Sequence, residues 1–124
     1  MDLTKNVEDY LEVIYLLKKE KGEAKVKNIS SRLKISLPSV TEMVKKLSKM
    51  KLINYKKYCS IELTKYGEEK AKKVYAKHKI LTNFFIKLGV SEKIASHDAC
   101  LAEHILSKET ISKINKFLRD AKSW

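Results

Sequence analysis

Hydrophobic residues recur at helical spacing along most of this chain. In the first segment the i, i+3, i+4, i+7 spacing predicts a helix over residues 6–20, which ends at Lys21 and Gly22. Further apolar groups predict a short helix over residues 26–34 and a third helix that begins at the N-cap Ser36. The apolar positions of these three helices are Val7, Tyr10, Leu11, Ile14 and Leu17, then Val26, Ile29 and Leu33, then Val40, Met43, Val44 and Leu47.

The spacing of apolar residues then changes from helical to alternating. Residues 52–57 and 60–64 alternate apolar or aromatic positions with polar ones, which predicts two strands joined by a tight connection at Tyr58 and Cys59. Two short helices linked by the three-residue turn 34–36 are typical of a helix-turn-helix. The hairpin that follows completes a winged helix-turn-helix.

Helical spacing returns in the second half of the chain. We predict helices over residues 65–88, 91–106 and 108–119, with Thr64 capping the first of them. The last two helices are too small to bury their apolar faces alone, so we expect a symmetric dimer. The predicted fold is mainly α with a small β wing. An N-terminal winged helix-turn-helix domain covers residues 1–64, and a C-terminal helical dimerisation domain covers residues 65–124.

Charge and composition indicate the class of partner and the cellular compartment. The 124 residues carry a formal net charge of +12, which favours a polyanionic partner, nucleic acid first and an anionic membrane surface second. Two cysteines are too few for a disulfide framework. No signal peptide is recognisable, and no apolar run approaches the roughly 18 residues of a membrane span. We therefore expect a cytoplasmic protein with reduced thiols and no membrane partner.

The outward face of the third predicted helix is suited to double-stranded DNA. Short hydroxyl side chains there let the backbone approach the duplex, and lysines reach phosphate or guanine. A solvated lysine face is the plainer alternative. The candidate DNA-binding residues are Ser36, Pro38, Ser39, Thr41, Lys45 and Lys46, with Lys56 and Lys57 near the tip of the wing.

A second group of side chains indicates a metal site. Cys100, Glu103 and His104 stand at i, i+3 and i+4, on one side of a predicted helix, and His78 lies in the apolar stripe one helix earlier. A thiolate, a carboxylate and imidazoles are ligands for a borderline transition metal. In an arbitrary helix the same spacing would describe a surface Glu–His pair beside a buried cysteine, and an isolated His78 would be a core histidine.

At this point the residues resemble the metal-dependent repressors related to the diphtheria toxin repressor, and most closely their short manganese transport regulator branch. The larger members end with an SH3-like domain, which we do not expect here. The likeness is carried by Val-Glu-Asp-Tyr-Leu-Glu at 7–12, Leu-Pro-Ser-Val-Thr at 37–41, Leu-Thr-Lys-Tyr-Gly at 63–67, Lys-His at 77–78 and Asp-Ala-Cys-Leu-Ala-Glu-His at 98–104.

The resemblance implies a regulator that binds Mn(II) or Fe(II), dimerises and then binds palindromic operators of metal-uptake genes. In vitro, Co(II) and Zn(II) are also expected to bind. The metal ligands that it implies are Asp9 and Glu12 in addition to His78, Cys100, Glu103 and His104. The dipole of the first helix offers another reason for Asp9 to stand near that helix's N-terminus.

The implied ligand set is a hybrid of two branches of the family. The manganese branch has Glu where Cys100 stands, whereas the iron branch has Cys there but Met where Asp9 stands. Oxygen ligands favour Mn(II), and the thiolate favours softer ions such as Fe(II), Co(II) or Zn(II). Thr82 replaces a carboxylate of the iron branch's ancillary site, and His97 is one residue out of register with its histidine.

Two rival functions remain at the level of sequence. The first is a winged-helix regulator that senses a non-metal ligand, such as an aromatic compound between the first and fifth helices. The second is a small metal-dependent hydrolase, which the absence of a glycine-rich phosphate loop and of a nucleophile elbow disfavours. We therefore expect no enzymatic activity, and no sensor role for Cys59.

Overall fold

The computed structural model describes residues 3–56 and 59–121 of the chain. This part of the chain is mainly helical, with one two-stranded antiparallel hairpin, which confirms the predicted fold class. None of the helices described is long and apolar enough to cross a membrane. The elements are α1 (Lys5–Lys21), α2 (Val26–Leu33), α3 (Leu37–Lys49), β1 (Ile53–Asn54), β2 (Glu62–Leu63), α4 (Lys65–Lys87), α5 (Glu92–Ala102) and α6 (Lys108–Ala121).

The chain divides into two compact units, Met1–Lys72 (unit 1) and Lys73–Trp124 (unit 2). The division falls inside α4, so this helix contributes its first turns to unit 1 and the remainder to unit 2. The sequence places the functional boundary at residue 64, just before α4 begins, and that boundary stays a prediction.

Unit 1 contains the helix-turn-helix, and side-chain caps stand at the starts of α1 and α3. The Thr4 hydroxyl accepts a hydrogen bond from the amide of Val7 at the start of α1, and Gly22 ends this helix with a left-handed φ of 75°. At the start of α3 the Ser36 hydroxyl accepts from the amide of Ser39, which confirms Ser36 as the N-cap. The core that these elements enclose includes Leu11, Ile14, Leu17, Ile29, Val40, Val44, Leu47, Leu52, Ile53 and Ile61, each at most 1% exposed.

The wing is shorter than the alternation of residues predicts. Among the described residues two pairs form its ladder, Ile53 with Leu63 and Asn54 with Glu62, so the predicted strands were too long over 52–56 and 60–64. The predicted strand end at Lys57 and the connection at Tyr58 lie outside the described residues. The backbone explains part of the difference, because the amide of Ile61 donates to the carbonyl of Ala24 at 2.7 Å. This amide is therefore bonded to the loop between α1 and α2.

Unit 2 has a small apolar core and exposes several large apolar side chains. The prediction of a fifth helix over residues 91–106 was wrong at its C-terminal end, because α5 stops at Ala102. The amides of His104 and Ile105 bond three residues back, to Leu101 and Ala102, which tightens the chain into a turn. The buried apolar residues of unit 2 are Val74, Leu81, Ala95, Ala99 and Ile111, and its exposed ones are Ile86, Leu88, Ile94, Leu101, Ile105 and Phe117.

Candidate metal centre and DNA-binding surface

The Glu103 carboxylate is buried between two imidazoles in unit 2. Its side chain is 1% exposed, with Oε2 at 3.3 Å from His78 Nδ1 and Oε1 at 3.3 Å from His104 Nε2. Among the residues that the structure describes, none gives Oε2 a hydrogen bond, although His78 is close enough for an ion pair when its ring is protonated. A buried carboxylate oxygen in this state needs a cation or a proton.

A thiol and a hydroxyl complete the surroundings of His78. Cys100 Sγ lies 3.7 Å from Nδ1, and Ser96 Oγ lies 3.4 Å from Nε2. Nδ1 therefore faces two potential anionic ligands, Cys100 and Glu103, while Nε2 faces a neutral group. Cys100 is exposed in the single chain, unlike the buried cysteine of the plainer alternative.

The local chain geometry explains how these side chains meet. α4 carries His78, and α5 carries Ser96 and Cys100 one turn apart on the same face. Glu103 is the C-cap of α5, with right-handed helical dihedrals and its amide bonded to Ala99, whereas His104 belongs to the turn that follows. The predicted ligand types are together in unit 2, and the i, i+3, i+4 helical geometry behind the prediction was wrong only for His104.

The separations fit donors of one ion. Two donors bound at about 2.0–2.3 Å with angles of about 90–120° lie roughly 2.8–4.0 Å apart. The distances from Nδ1 of His78 to Glu103 Oε2 and to Cys100 Sγ are 3.3 and 3.7 Å, which fall in this range. An N, O and S donor set suits a divalent transition metal, and the buried Glu103 oxygen supplies the charge that such an ion balances.

The remaining two predicted ligands belong to α1 in unit 1. Asp9 accepts a hydrogen bond from Lys5 at 2.9 Å, one turn earlier on the same helix. Glu12 is 9% exposed, a low value for a carboxylate. Asp9 and Glu12 therefore remain predicted ligands, on the strength of the resemblance.

The predicted DNA-binding residues lie largely on the surface of unit 1. Thr41 is half-buried, and Lys57 lies outside the residues that the structure describes. The others are all exposed, namely Ser36, Pro38, Ser39, Lys45, Lys46 and Lys56.

A cavity beside α3 adds residues that sequence reasoning missed. It has a volume of about 590 Å³, and Thr41, Lys45, Lys25 and Lys27 contribute to its lining together with Tyr55 of the wing. No carboxylate stands among its described lining residues. The sequence held a signal for this basic group. Lys25 and Lys27 stand at the start of α2, and that helix has no acidic residue in its first turn, where an acidic residue is usually favourable.

Two residues of unit 1, Glu20 and Tyr10, have shifted pKa values. The Arg32 guanidinium on α2 lowers the pKa of the Glu20 carboxyl on α1, through a hydrogen bond and through its charge. Burial raises the pKa of the Tyr10 phenol. Tyr10 lines a second cavity of about 340 Å³ together with Ser39 and Lys46 of α3.

His97, Cys59 and Thr82, which are not among the predicted ligands, differ in their exposure. His97 and Cys59 are both exposed. The Thr82 hydroxyl is buried and, within residues 3–56 and 59–121, has no hydrogen-bond partner. A threonine in place of the iron branch's carboxylate leaves one acidic ligand fewer for an ancillary site.

Comparison with known proteins places two family domains along the chain. Residues 2–61 match the family described as iron dependent repressor, N-terminal DNA binding domain. Residues 64–123 match the family described as iron dependent repressor, metal binding and dimerisation domain. The two matches together span nearly the whole chain.

The similar proteins are also regulators by name. An uncharacterised HTH-type transcriptional regulator of Methanocaldococcus jannaschii is 40% identical over 122 residues, covering 97% of this chain and 98% of that protein. The HTH-type transcriptional regulator MntR of Geobacillus thermodenitrificans is 37% identical over 116 residues, covering 94% and 82%. The structure of the manganese regulator SloR is similar with a TM-score of 0.80 and 33% identity, over 94% of this chain. The chain matches only 55% of SloR's length.

Proposed function

This chain belongs to the iron-dependent repressor family of metal-dependent transcriptional regulators, and we propose that it is a Mn(II)- or Fe(II)-activated repressor of metal-uptake genes. In this proposal the metal centre includes His78, Cys100, Glu103 and His104 of unit 2. The protein binds a palindromic operator as a homodimer.

The observation that carries the proposal is the buried Glu103 carboxylate. Its two oxygens lie 3.3 Å from one nitrogen each of His78 and His104, and Cys100 Sγ is 3.7 Å from the His78 ring. An isolated buried carboxylate is unfavourable because the charge loses its hydration. A divalent ion removes that cost and satisfies several donors at once.

We further propose that Asp9 and Glu12 of α1 are ligands of this metal centre. The resemblance to the family and the burial of Glu12 support this assignment. Carboxylates favour Mn(II), whereas the Cys100 thiolate favours Fe(II) and other softer ions. The donor set therefore predicts a response to both metals, and binding of Co(II) and Zn(II) in vitro.

The proposed switch is mechanical. An ion held by α1 as well as by α4 and α5 would fix the distance between the two α3 helices of the dimer. Operator half-sites are spaced by whole turns of the duplex, so this distance sets the affinity for DNA. The exposed apolar residues of unit 2, Ile105 above all at 81% exposed, are proposed to meet the partner subunit.

The proposed DNA-binding surface combines the exposed residues of α3 with the wing. Ser36, Pro38, Ser39 and Thr41 form its part at the start of the recognition helix, and Lys45 and Lys46 follow. Lys56 and Lys57 act at the wing, and Lys25 and Lys27 are proposed as additional phosphate contacts, supported by the cavity that they share with Lys45.

A gel-shift series tests the proposal. Duplexes selected from a random-sequence pool in the presence of Mn(II) serve as the probe, and binding is compared in chelator, Mn(II), Fe(II), Co(II) and Zn(II). We expect strong binding with Mn(II) or Fe(II) and weak binding in chelator. His104→Ala should bind weakly under all conditions, whereas the exposed His97→Ala control should behave as wild type. Equal DNA affinity of the wild type in every condition contradicts the proposal.

A further inference from the structure

His78 presents its two ring nitrogens to different kinds of neighbour. Nε2 lies 3.4 Å from the hydroxyl oxygen of Ser96. Nδ1 lies 3.7 Å from Cys100 Sγ and 3.3 Å from Glu103 Oε2. All of these residues belong to unit 2, so the arrangement is a property of that unit alone.

We propose that Ser96 is a positioning residue of the metal centre. Its hydroxyl accepts a hydrogen bond from Nε2–H of His78, which fixes the neutral tautomer whose lone pair is on Nδ1. A neutral imidazole carries its hydrogen on one nitrogen only and binds a metal through the other. The inference rests on the proposed metal function and deepens it.

With an ion bound, the contacts around Nδ1 require this tautomer. The two groups assigned to the metal, Cys100 and Glu103, lie on the Nδ1 side of the ring, so a hydrogen on Nδ1 would take the place of the ion. Glu103 Oε2 is only 3.3 Å away, yet it accepts no hydrogen bond from any described residue. The serine hydroxyl can rotate to accept from Nε2, so it suits a ring whose hydrogen is on that side.

Ser96 lies on α5 one turn before Cys100, and its hydroxyl contacts the His78 ring. Ser96 and Cys100 are four residues apart, so one face of the helix supplies both the proposed positioning group and a ligand. His78 is thereby held from both sides. Groups that orient a ligating histidine through its second nitrogen typically contribute about 10–100-fold to metal affinity.

Metal competition titrations on the full chain test the inference. Mn(II) and Co(II) are titrated into wild type, Ser96→Ala, Ser96→Thr and the control Ser112→Ala, a serine exposed on α6. We expect Ser96→Ala to bind about 10-fold or more weakly. Ser96→Thr retains the hydroxyl and should bind close to wild type, as should the control. A purely steric role for Ser96 predicts the reverse order, with the larger threonine more harmful.

A second measurement reports the tautomer directly. Nitrogen-15 NMR of the wild type loaded with diamagnetic Zn(II) should show the metal on Nδ1 of His78 and the ring hydrogen on Nε2. A Zn(II)-loaded ring that binds through Nε2, or a Ser96→Ala protein that binds metal as wild type does, overturns the inference and leaves the proposed function standing. Wild-type protein that binds none of the metals overturns the proposed function itself.

Discussion

Unit 1 and unit 2 use their apolar and polar residues in opposite ways. Unit 1 buries a large set of aliphatic side chains and keeps its candidate DNA-binding residues on the surface. Unit 2 buries a glutamate between two histidines, while Leu88, Ile94, Leu101, Ile105 and Phe117 are more than half exposed in the single chain. Unit 1 is therefore stabilised by its own core, and we propose that unit 2 depends on an ion and on a partner subunit.

The contrast follows from what each unit must recognise. A DNA duplex binds to a preformed surface, and caps and core packing fix the elements of unit 1 before DNA binds. The ligands of an ion are unfavourable to bury without that ion, so a metal centre lowers the stability of the metal-free protein. Binding of the ion then adds stability to the folded state alone.

The core of unit 1 gives the largest expected effect. Leu47 on α3 is fully buried, and Leu47→Ala should destabilise the protein by about 2–5 kcal/mol through lost burial and a residual cavity. In unit 2, Ile105→Ala should change the free energy of unfolding of the monomer by less than about 0.5 kcal/mol and should weaken dimerisation. Urea unfolding and sedimentation equilibrium measure the two quantities. Equal loss of monomer stability in both variants would remove the contrast between the units.

The metal centre provides the next effect. Glu103→Gln keeps the shape of the side chain but removes its charge, so Mn(II) affinity should fall by about 100-fold or more, beyond the loss typical of a group that only orients a ligand. Mn(II) should then no longer raise the melting temperature, as it does in the wild type. The exposed Glu69→Gln serves as the control. A Glu103→Gln protein that Mn(II) stabilises as fully as the wild type would show that the buried carboxylate is not a ligand.

The cavity beside α3 gives a smaller effect on DNA binding. If Lys27 contacts one phosphate, Lys27→Ala should reduce the slope of log affinity against log salt by about 0.9. Lys116→Ala on the exposed side of α6 should leave the slope unchanged. Fluorescence anisotropy at several salt concentrations measures both slopes. Identical slopes for Lys27→Ala and the wild type would place Lys27 outside the DNA-binding surface.

The ion pair between α1 and α2 gives the smallest effect. Arg32 lowers the pKa of Glu20 in the folded state, so the pair adds stability above the pKa of the unfolded chain, and this stability is lost as pH falls through the folded-state pKa. Glu20→Gln should therefore be slightly less stable than wild type at pH 7 and equal to it in strong acid. Urea unfolding at both pH values checks this, and a difference that persists in acid would contradict the linkage.

The sequence predicted unit 1 more completely than unit 2. Apolar spacing, Ser36 and Thr64 were sufficient to place the helices, because each signal is local. The ends of the wing strands were not predictable, since the amide of Ile61 bonds to Ala24, a residue far along the chain. The turn that follows Glu103 was also missed, because helical spacing continues past the point where the backbone tightens.

The metal centre illustrates a second limit. The residue types at 78, 100, 103 and 104 indicated a transition metal, but spacing alone gives no information on the neighbours of a histidine ring. Ser96 is an ordinary helix serine in the sequence, and only the folded unit brings its hydroxyl to His78. Lys25 and Lys27 were similarly missed, because the lack of an acidic residue at the start of α2 is a weak signal in a lysine-rich chain.

We expect an ion bound at the metal centre and DNA bound by unit 1 to strengthen each other's binding. Linkage requires that DNA tighten the binding of the ion by the same factor by which the ion tightens the binding of DNA. The most direct measurement is the dissociation constant of Mn(II), determined by competition with a fluorescent chelator, with and without saturating selected duplex. We expect the dissociation constant of Mn(II) to be lower in the presence of DNA, by the factor found in the gel shifts. The same constant with and without DNA would contradict it.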